Sequence, residues 1–200
     1  MTSPLKVLLA GPPRSGKSCL RYALKEALMA RQPACPYPYV ITACPDGEGA
    51  WFHETAAANP ELAQQLKSEN KTPFTSAHAD RYAAEVRDCL LPFFFIDIGG
   101  RISDENIRIC ANATHAILIA ANPTDLSEWR TFCRRLNIAI LAELESDYHG
   151  SEDRPLLLGV DGIHRGSIHY LERGDTTLPS RPTVQALADV ITCFFKTTTL

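Results

Sequence analysis

The sequence predicts an α/β protein, a three-layer sandwich with helices on both faces of a mostly parallel sheet. Two observations predict it. Short apolar runs alternate along the chain with segments whose apolar residues recur at helical spacing, the order of strands joined by helical crossovers. The runs at 93–96 and 116–121 are apolar throughout, as in strands buried on both faces. With 200 residues, 45% of them hydrophobic and 22% charged, the chain is long enough for one well-filled core, and 1–200 is expected to form a single domain.

The elements follow in order. Residues 5–10 are a short apolar run ending at Gly11, hence a first strand. Residues 18–31 place Leu20, Leu24, Ala27 and Leu28 on one helical face, and Gln32-Pro33 ends that helix. Residues 39–43 are β-branched and aromatic enough for a strand, which the turn former Pro45-Asp46-Gly47 stops. Asn59-Pro60 caps a helix to about Glu69, and Thr75 or Ser76 starts another with Tyr82, Val86 and Leu90 at four-residue spacing. These helices form a polar, charged excursion at about 53–91. Residues 93–96 are a strand with Pro92 at its start and Asp97 at its end, and Ser103 caps a helix over 104–111. After the strand at 116–121, Asp125 or Ser127 caps a helix lined by Trp129, Phe132, Cys133 and Leu136. Residues 138–144 read as a strand, because the preceding helix has just supplied its crossover. Residues 156–160 form another, with 168–172 paired beside it through a turn at 162–166. Pro182 begins a last helix carrying Val184, Leu187, Ile191 and Phe194.

Twenty basic residues against twenty-three acidic ones give a net charge of -3, so the chain lacks the broad basic footprint of a general nucleic-acid binder. No apolar run approaches the roughly 20 residues of a membrane-spanning helix. Residues 1–10 run directly into a glycine loop and are not expected to be a removable leader, so a cytoplasmic location is expected. Seven cysteines, an odd number without a C-x-x-C pair, argue against a disulfide framework. Most read as small buried apolar residues. His164 and His169 straddle a glycine and read as surface or hairpin residues; no structural metal is expected.

Gly11-Pro12-Pro13-Arg14-Ser15-Gly16-Lys17-Ser18 fits G-x-x-x-x-G-K-[ST] at every fixed position, between an expected strand and an expected helix. A loop of backbone N–H groups at a helix N-terminus offers converging donors and a positive dipole end to phosphate oxygens. Gly11, Pro12, Pro13, Arg14, Ser15, Gly16, Lys17, Ser18 and Cys19 are therefore the expected nucleotide-binding residues. Lys17 reaches the β and γ phosphates and the Ser18 hydroxyl is a ligand for the accompanying Mg²⁺. Asp97, at the carboxyl end of a buried strand, is placed to hold the same Mg²⁺. Asp97-Ile98-Gly99-Gly100 fits D-x-x-G, in which the Gly100 backbone N–H faces a γ-phosphate.

In residues 11–18 and 97–100, and in its order of elements, the sequence resembles the P-loop NTPase superfamily. The resemblance implies Mg²⁺-dependent binding and hydrolysis of a nucleoside triphosphate. Three departures qualify it. No Glu follows Asp97, so the water-activating Glu that recombinase-like and many AAA-type ATPases draw from a D-E pair is missing. No N-K-x-D follows the strand at 116–121, and Lys196 is the only lysine beyond Lys71, which favours ATP over GTP. The loop also lacks the early second lysine of MinD-like ATPases. The chain length, the GPPRSGKS loop, the turn Pro45-Asp46-Gly47-Glu48-Gly49 and the segment Leu171-Glu172-Arg173-Gly174 are further similar to the ATPase domain fused to some CRISPR-associated ring nucleases. That similarity implies a partner domain that degrades cyclic oligoadenylate.

Glu48, with Asp46 behind it, is the expected replacement base, since both follow a strand whose end faces the phosphate edge of a parallel sheet. Their alternative role is an acidic turn with solvated carboxylates. Arg14 and Arg101 are placed to stabilise transition-state charge, in the same subunit or across a homodimer. Arg130, Arg134 and Arg135 read as the solvated face of their helix, and Trp51-Phe52-His53 as core or as an acceptor or base pocket. Three functions remain open: an ATPase whose nucleotide state regulates a protein partner, a small-molecule kinase with Asp46 as base and the excursion as lid, and a nucleotide-bound interaction module with negligible hydrolysis.

Overall fold

A computed structural model describes residues 3–49 and 51–196. Met1 and Thr2 of the segment expected not to be a leader lie outside the described residues. The strands are β1 (Leu5–Ala10), β2 (Tyr39–Thr42), β3 (Phe93–Asp97), β4 (His115–Ala120), β5 (Ala139–Asp147), β6 (Leu157–Leu158) and β7 (His164–His169). They form one sheet in the order β2-β3-β1-β4-β5-β7-β6, parallel except where β6 pairs antiparallel with β7. The helices are α1 (Lys17–Met29), α2 (Phe52–Ala58), α3 (Pro60–Asn70), α4 (Ser76–Asp88), α5 (Asp104–Cys110), α6 (Pro123–Arg135) and α7 (Pro182–Lys196). Among the described residues no helix is long and apolar enough to cross a membrane.

The central strands are apolar throughout because both of their faces are covered. Successive side chains of a strand point to opposite faces. Val7, Leu9, Phe93, Phe95, Ile117 and Ile119 pack with Leu20, Leu24 and Leu28 of α1 and with Leu187 and Ile191 of α7. On the other face Leu8, Phe94, Ile96 and Leu118 pack with Val86, Ile109, Trp129 and Phe132. Each fully buried Leu, Ile or Phe side chain contributes about 1.5–3 kcal/mol.

Asn59, Thr75 and Ser103 cap α3, α4 and α5, each side chain accepting the N–H three residues on. Four expectations need correction. α6 is capped by Asn122, not by Asp125 or Ser127, since Pro123 supplies a first helical residue with its backbone already set. α4 ends at Asp88, and Leu90 lies beyond it, 86% exposed. β7 begins at His164 because parallel pairing with β5 from Ala142 to Asp147 defines it, so the reversal falls at 159–163 and not at 162–166. β6, bonded on one side only, shrinks to Leu157–Leu158. Arg134 and Arg135 are exposed as expected, whereas Arg130 reaches back to the sheet and, with Arg165, holds the buried carboxylate of Glu143. His164 and His169 lie half-buried on β7, with His169 Nδ1 2.7 Å from Asp153 Oδ1.

Lys6 is the second residue of β1 yet is only 9% exposed. Its Nζ donates to the carbonyls of Val86 and Arg87 at 2.6 and 3.0 Å, closing the last turn of α4 against the sheet. Burial pushes its ammonium pKa below the ordinary lysine value. Lys6→Met keeps the packed stem and removes the donors, so urea unfolding should show a loss of about 1–3 kcal/mol. Unchanged stability would mean that those carbonyls find water instead.

Candidate functional site

β1 lies between β3 and β4, so the chain leaves its carboxyl end where neighbouring connections run to opposite faces of the sheet. Registry levels the strand ends: Asp97 is the partner of Leu9 on one side and Thr42 on the other. The loop after β1, the turn after β2 and the loop after β3 therefore meet at one edge. Between them lies a cleft of about 500 Å³, lined among others by Arg14 to Cys19, Asp46, Glu48 and Asp97 to Gly100.

The loop turns into α1 through left-handed residues, Arg14 with φ 63° and Gly16 with φ 88°. At Gly16 a Cβ would also come within 2.4 Å of Leu171 Cδ1, so the 171–173 segment closes over the start of the helix. Lys17 is buried and folds back along the loop, its Nζ donating to the carbonyls of Gly11 at 2.9 Å and Pro12 at 2.7 Å. Burial pushes its pKa below the ordinary lysine value, and Asp97 is the strongest opposing influence. Gly100 lies against the loop so closely that a Cβ there would stand 2.3 Å from Pro13 N.

Asp97 is buried and receives Arg21 Nη1 on its Oδ2 at 2.7 Å. Burial pushes its carboxyl above the ordinary range, against the pull first of Arg21 and then of Lys17. Arg21 is one helical turn beyond Lys17, and its other terminal nitrogen donates to Gly49 O at 3.4 Å. No motif includes Arg21. Its signal was an arginine among the apolar positions Leu20, Ala23 and Leu24 of a helix face that packs inward.

Asp46 and Glu48, two residues apart in sequence, have different surroundings. Glu48 is buried, with Lys67 Nζ of α3 2.6 Å from its Oε1 and the Arg173 guanidinium on the same oxygen. Phe52 lies beneath both cations, at 5.7 and 5.0 Å. Asp46 is half-buried, accepts the Glu48 N–H at 3.0 Å, and acts electrostatically on Lys17, Asp97 and Cys44. Burial first, and Asp46 second, push the Cys44 thiol up to about 12. Arg14 and Arg101 are exposed at the rim. Phe52 and His53 are core, His53 stacking on Tyr22 at 3.8 Å, while Trp51 is half-buried.

Solved structures share this arrangement of elements. The MinD septum site-determining protein of Pyrococcus horikoshii, complexed with Mg-ADP, superposes with a TM-score of 0.58 at 12% identity over 96% of this chain and 94% of that one. A plasmid partition protein of Borrelia burgdorferi bound to AMPPNP gives 0.60 at 11% identity, covering 97% and 99%. The cell division ATPase MinD of Pyrococcus furiosus gives 0.60 at 10%, covering 98% and 100%. The fold is that of these MinD and plasmid-partition structures. No protein-family model matches the sequence, and no curated protein does. The fold is thus shared with MinD structures, although Lys17 is the only lysine of the loop in this chain.

The residues of this P-loop fit a phosphate group and Mg²⁺. Ser15 Oγ is buried without a hydrogen-bond partner among the described residues, and Lys17 uses two of its three N–H donors within the protein. Ser18 and Asp97, a hydroxyl and a carboxylate lining the same cleft, could supply hard oxygen ligands, with Asp97 Oδ2 already carrying Arg21. Arg21→Leu would strand the Asp97 charge in the interior and should lower stability by about 3–5 kcal/mol in chemical denaturation. Adding Asp97→Leu should restore much of that loss. If Arg21→Leu alone unfolds like wild type, the pair contributes nothing net.

Proposed function

We propose that the chain is a cytoplasmic ATPase formed by one domain, which binds ATP with Mg²⁺ in the P-loop cleft and transfers the γ-phosphoryl group to water. The observation that carries this reading is the convergence of Lys17, the unpartnered Ser15 hydroxyl, Asp97 and the Gly100 backbone on one cleft. The nucleotide complexes of proteins with this fold support it. Backbone N–H groups of 11–18 and the Lys17 ammonium would hold the β and γ phosphates, and Ser18 with Asp97 would hold Mg²⁺. The cation would supply charge neutralisation at the phosphate oxygens.

Asp46 would orient the attacking water and accept its proton; it lines the cleft, and its neighbour Glu48 already carries two cations. Gly100, packed on Pro12 and Pro13, ties the 97–100 loop to the phosphate loop, so that loop would register the presence of the γ-phosphate. A protein partner would read that loop. The similarity to ATPase domains fused to ring nucleases makes a cyclic-oligoadenylate-degrading domain the first partner to test, and a second copy of the chain the next.

Purified protein incubated with Mg-ATP, with phosphate and ADP followed separately, tests the reading. Equal release of both, abolished by EDTA, is the expected result. ADP formed only when an acceptor alcohol is added would replace hydrolysis by phosphotransfer with Asp46 as base. Tight binding without either product would make the chain a nucleotide-bound interaction module.

A further inference from the structure

A second cleft, of about 410 Å³, lies along β2 beside the first. Cys44 and Glu48 line both, so ligands in the two would be neighbours. β2 is the edge of the sheet and pairs only with β3. Every second residue of such a strand turns its N–H and C=O away from the sheet, here along the cleft wall that β2 forms.

Opposite β2 stands α4, anchored by His78 Nε2 at 3.0 Å from Ala43 O. Its Tyr82 ring lies 4.7 Å from the His78 ring, and the Arg81 guanidinium lies 5.5 Å over the Tyr82 ring. Arg87 and Arg108 are paired with Asp88 and Asp80, whereas Arg81, exposed, forms no ion pair among the described residues. Of the two carboxylates at the wall, Glu48 is neutralised by Lys67 and Arg173, and Glu85 receives the Tyr39 hydroxyl at 3.5 Å. Trp51 adds a third aromatic side chain to those of Tyr39 and Tyr82.

Three features therefore coincide: aromatic surface, an unpaired guanidinium and an open strand edge. Aromatic rings bind planar bases by stacking, worth about 1–3 kcal/mol per base. A guanidinium on a ring face binds phosphate by paired N–H donors. The strand edge offers alternating donors and acceptors, the complement of a base edge. We propose that this second cleft binds a mononucleotide, with its base among Trp51 and Tyr82 and its phosphate at Arg81. The site goes beyond the ATP reading and does not require phosphoryl transfer.

The test is calorimetric titration of AMP into protein already saturated with AMPPNP. A saturable second site is expected, weakened about tenfold or more by Arg81→Ala and by Tyr82→Ala. The circular dichroism melt of Arg81→Ala should match wild type, and Tyr82→Ala, which truncates a ring packed against the core, is titrated well below its own melting temperature. Adenosine and ribose 5-phosphate should each bind more weakly than AMP. Lys17→Ala should weaken AMPPNP binding and keep AMP; AMPPNP binding without AMP binding in wild type would sink this inference and leave the P-loop reading intact. No saturable AMP binding, or binding indifferent to both α4 substitutions, overturns the proposal. Inorganic phosphate binding as tightly as AMP would make the cleft an anion site and overturn the nucleotide class.

Discussion

Lys17→Ala should lower Mg-ATP turnover by about 10³-fold or more, the scale of withholding a cation from a phosphoryl-transfer transition state. The Lys17 ammonium lies along the loop, held by the Gly11 and Pro12 carbonyls. Its charge is thus positioned by the loop itself, with a third N–H to offer a phosphate. Removing it also leaves two loop carbonyls without their donor, at a cost of about 1–3 kcal/mol. The experiment therefore pairs steady-state turnover and AMPPNP titration with thermal unfolding. A folded variant with reduced affinity and almost no turnover is the expected outcome. Wild-type affinity and turnover in the variant would remove the P-loop from the function altogether.

Asp46→Asn should reduce turnover by about 10²–10⁴-fold, the usual contribution of a general base, while AMPPNP still binds. Glu48→Gln should act differently. Glu48 is the first choice from sequence, but the structure commits its carboxylate to Lys67 and Arg173. Its loss would free Lys67 of α3 and Arg173 of the segment over the start of α1, so nucleotide affinity should fall more than the rate at saturation. A large fall in the saturated rate for Glu48→Gln with none for Asp46→Asn would reverse the assignment. If neither variant changes turnover, the base comes from another segment or another subunit, and a steep dependence of rate on protein concentration would identify the second case.

Much of the scaffold was legible in the chain. Leu5–Ala10, Phe93–Asp97 and the helix caps Asn59, Thr75 and Ser103 are local signals, and local physics decides them: a run of apolar residues must be buried on both sides, and an Asn or Ser before a helix satisfies its free N–H groups. Asn122 caps α6 because Pro123 sets the first helical residue, ahead of the Asp125 and Ser127 that the apolar face suggests. β7 was misplaced because its limits come from β5, a partner some twenty residues away in sequence.

The G-x-x-x-x-G-K-[ST] motif at 11–18 and the place of Asp97 at the end of β3 are legible in sequence alone, since one is contiguous and the other ends an apolar strand. The partners of the acids were not. Arg21 and Asp97 are 76 residues apart and Arg173 and Glu48 are 125 apart, and nothing in either neighbourhood announces the pairing. Tertiary structure alone decided that Asp97 enters the site already bound to a guanidinium, that Glu48 is committed to two cations while Asp46 is not, and that α4 lays Arg81 and Tyr82 along the free edge of β2. The physical reason is the range of the forces involved. Hydrophobic periodicity and backbone capping act over a few residues and are written in order along the chain, whereas a buried charge takes whichever opposite charge the packed sheet brings within reach.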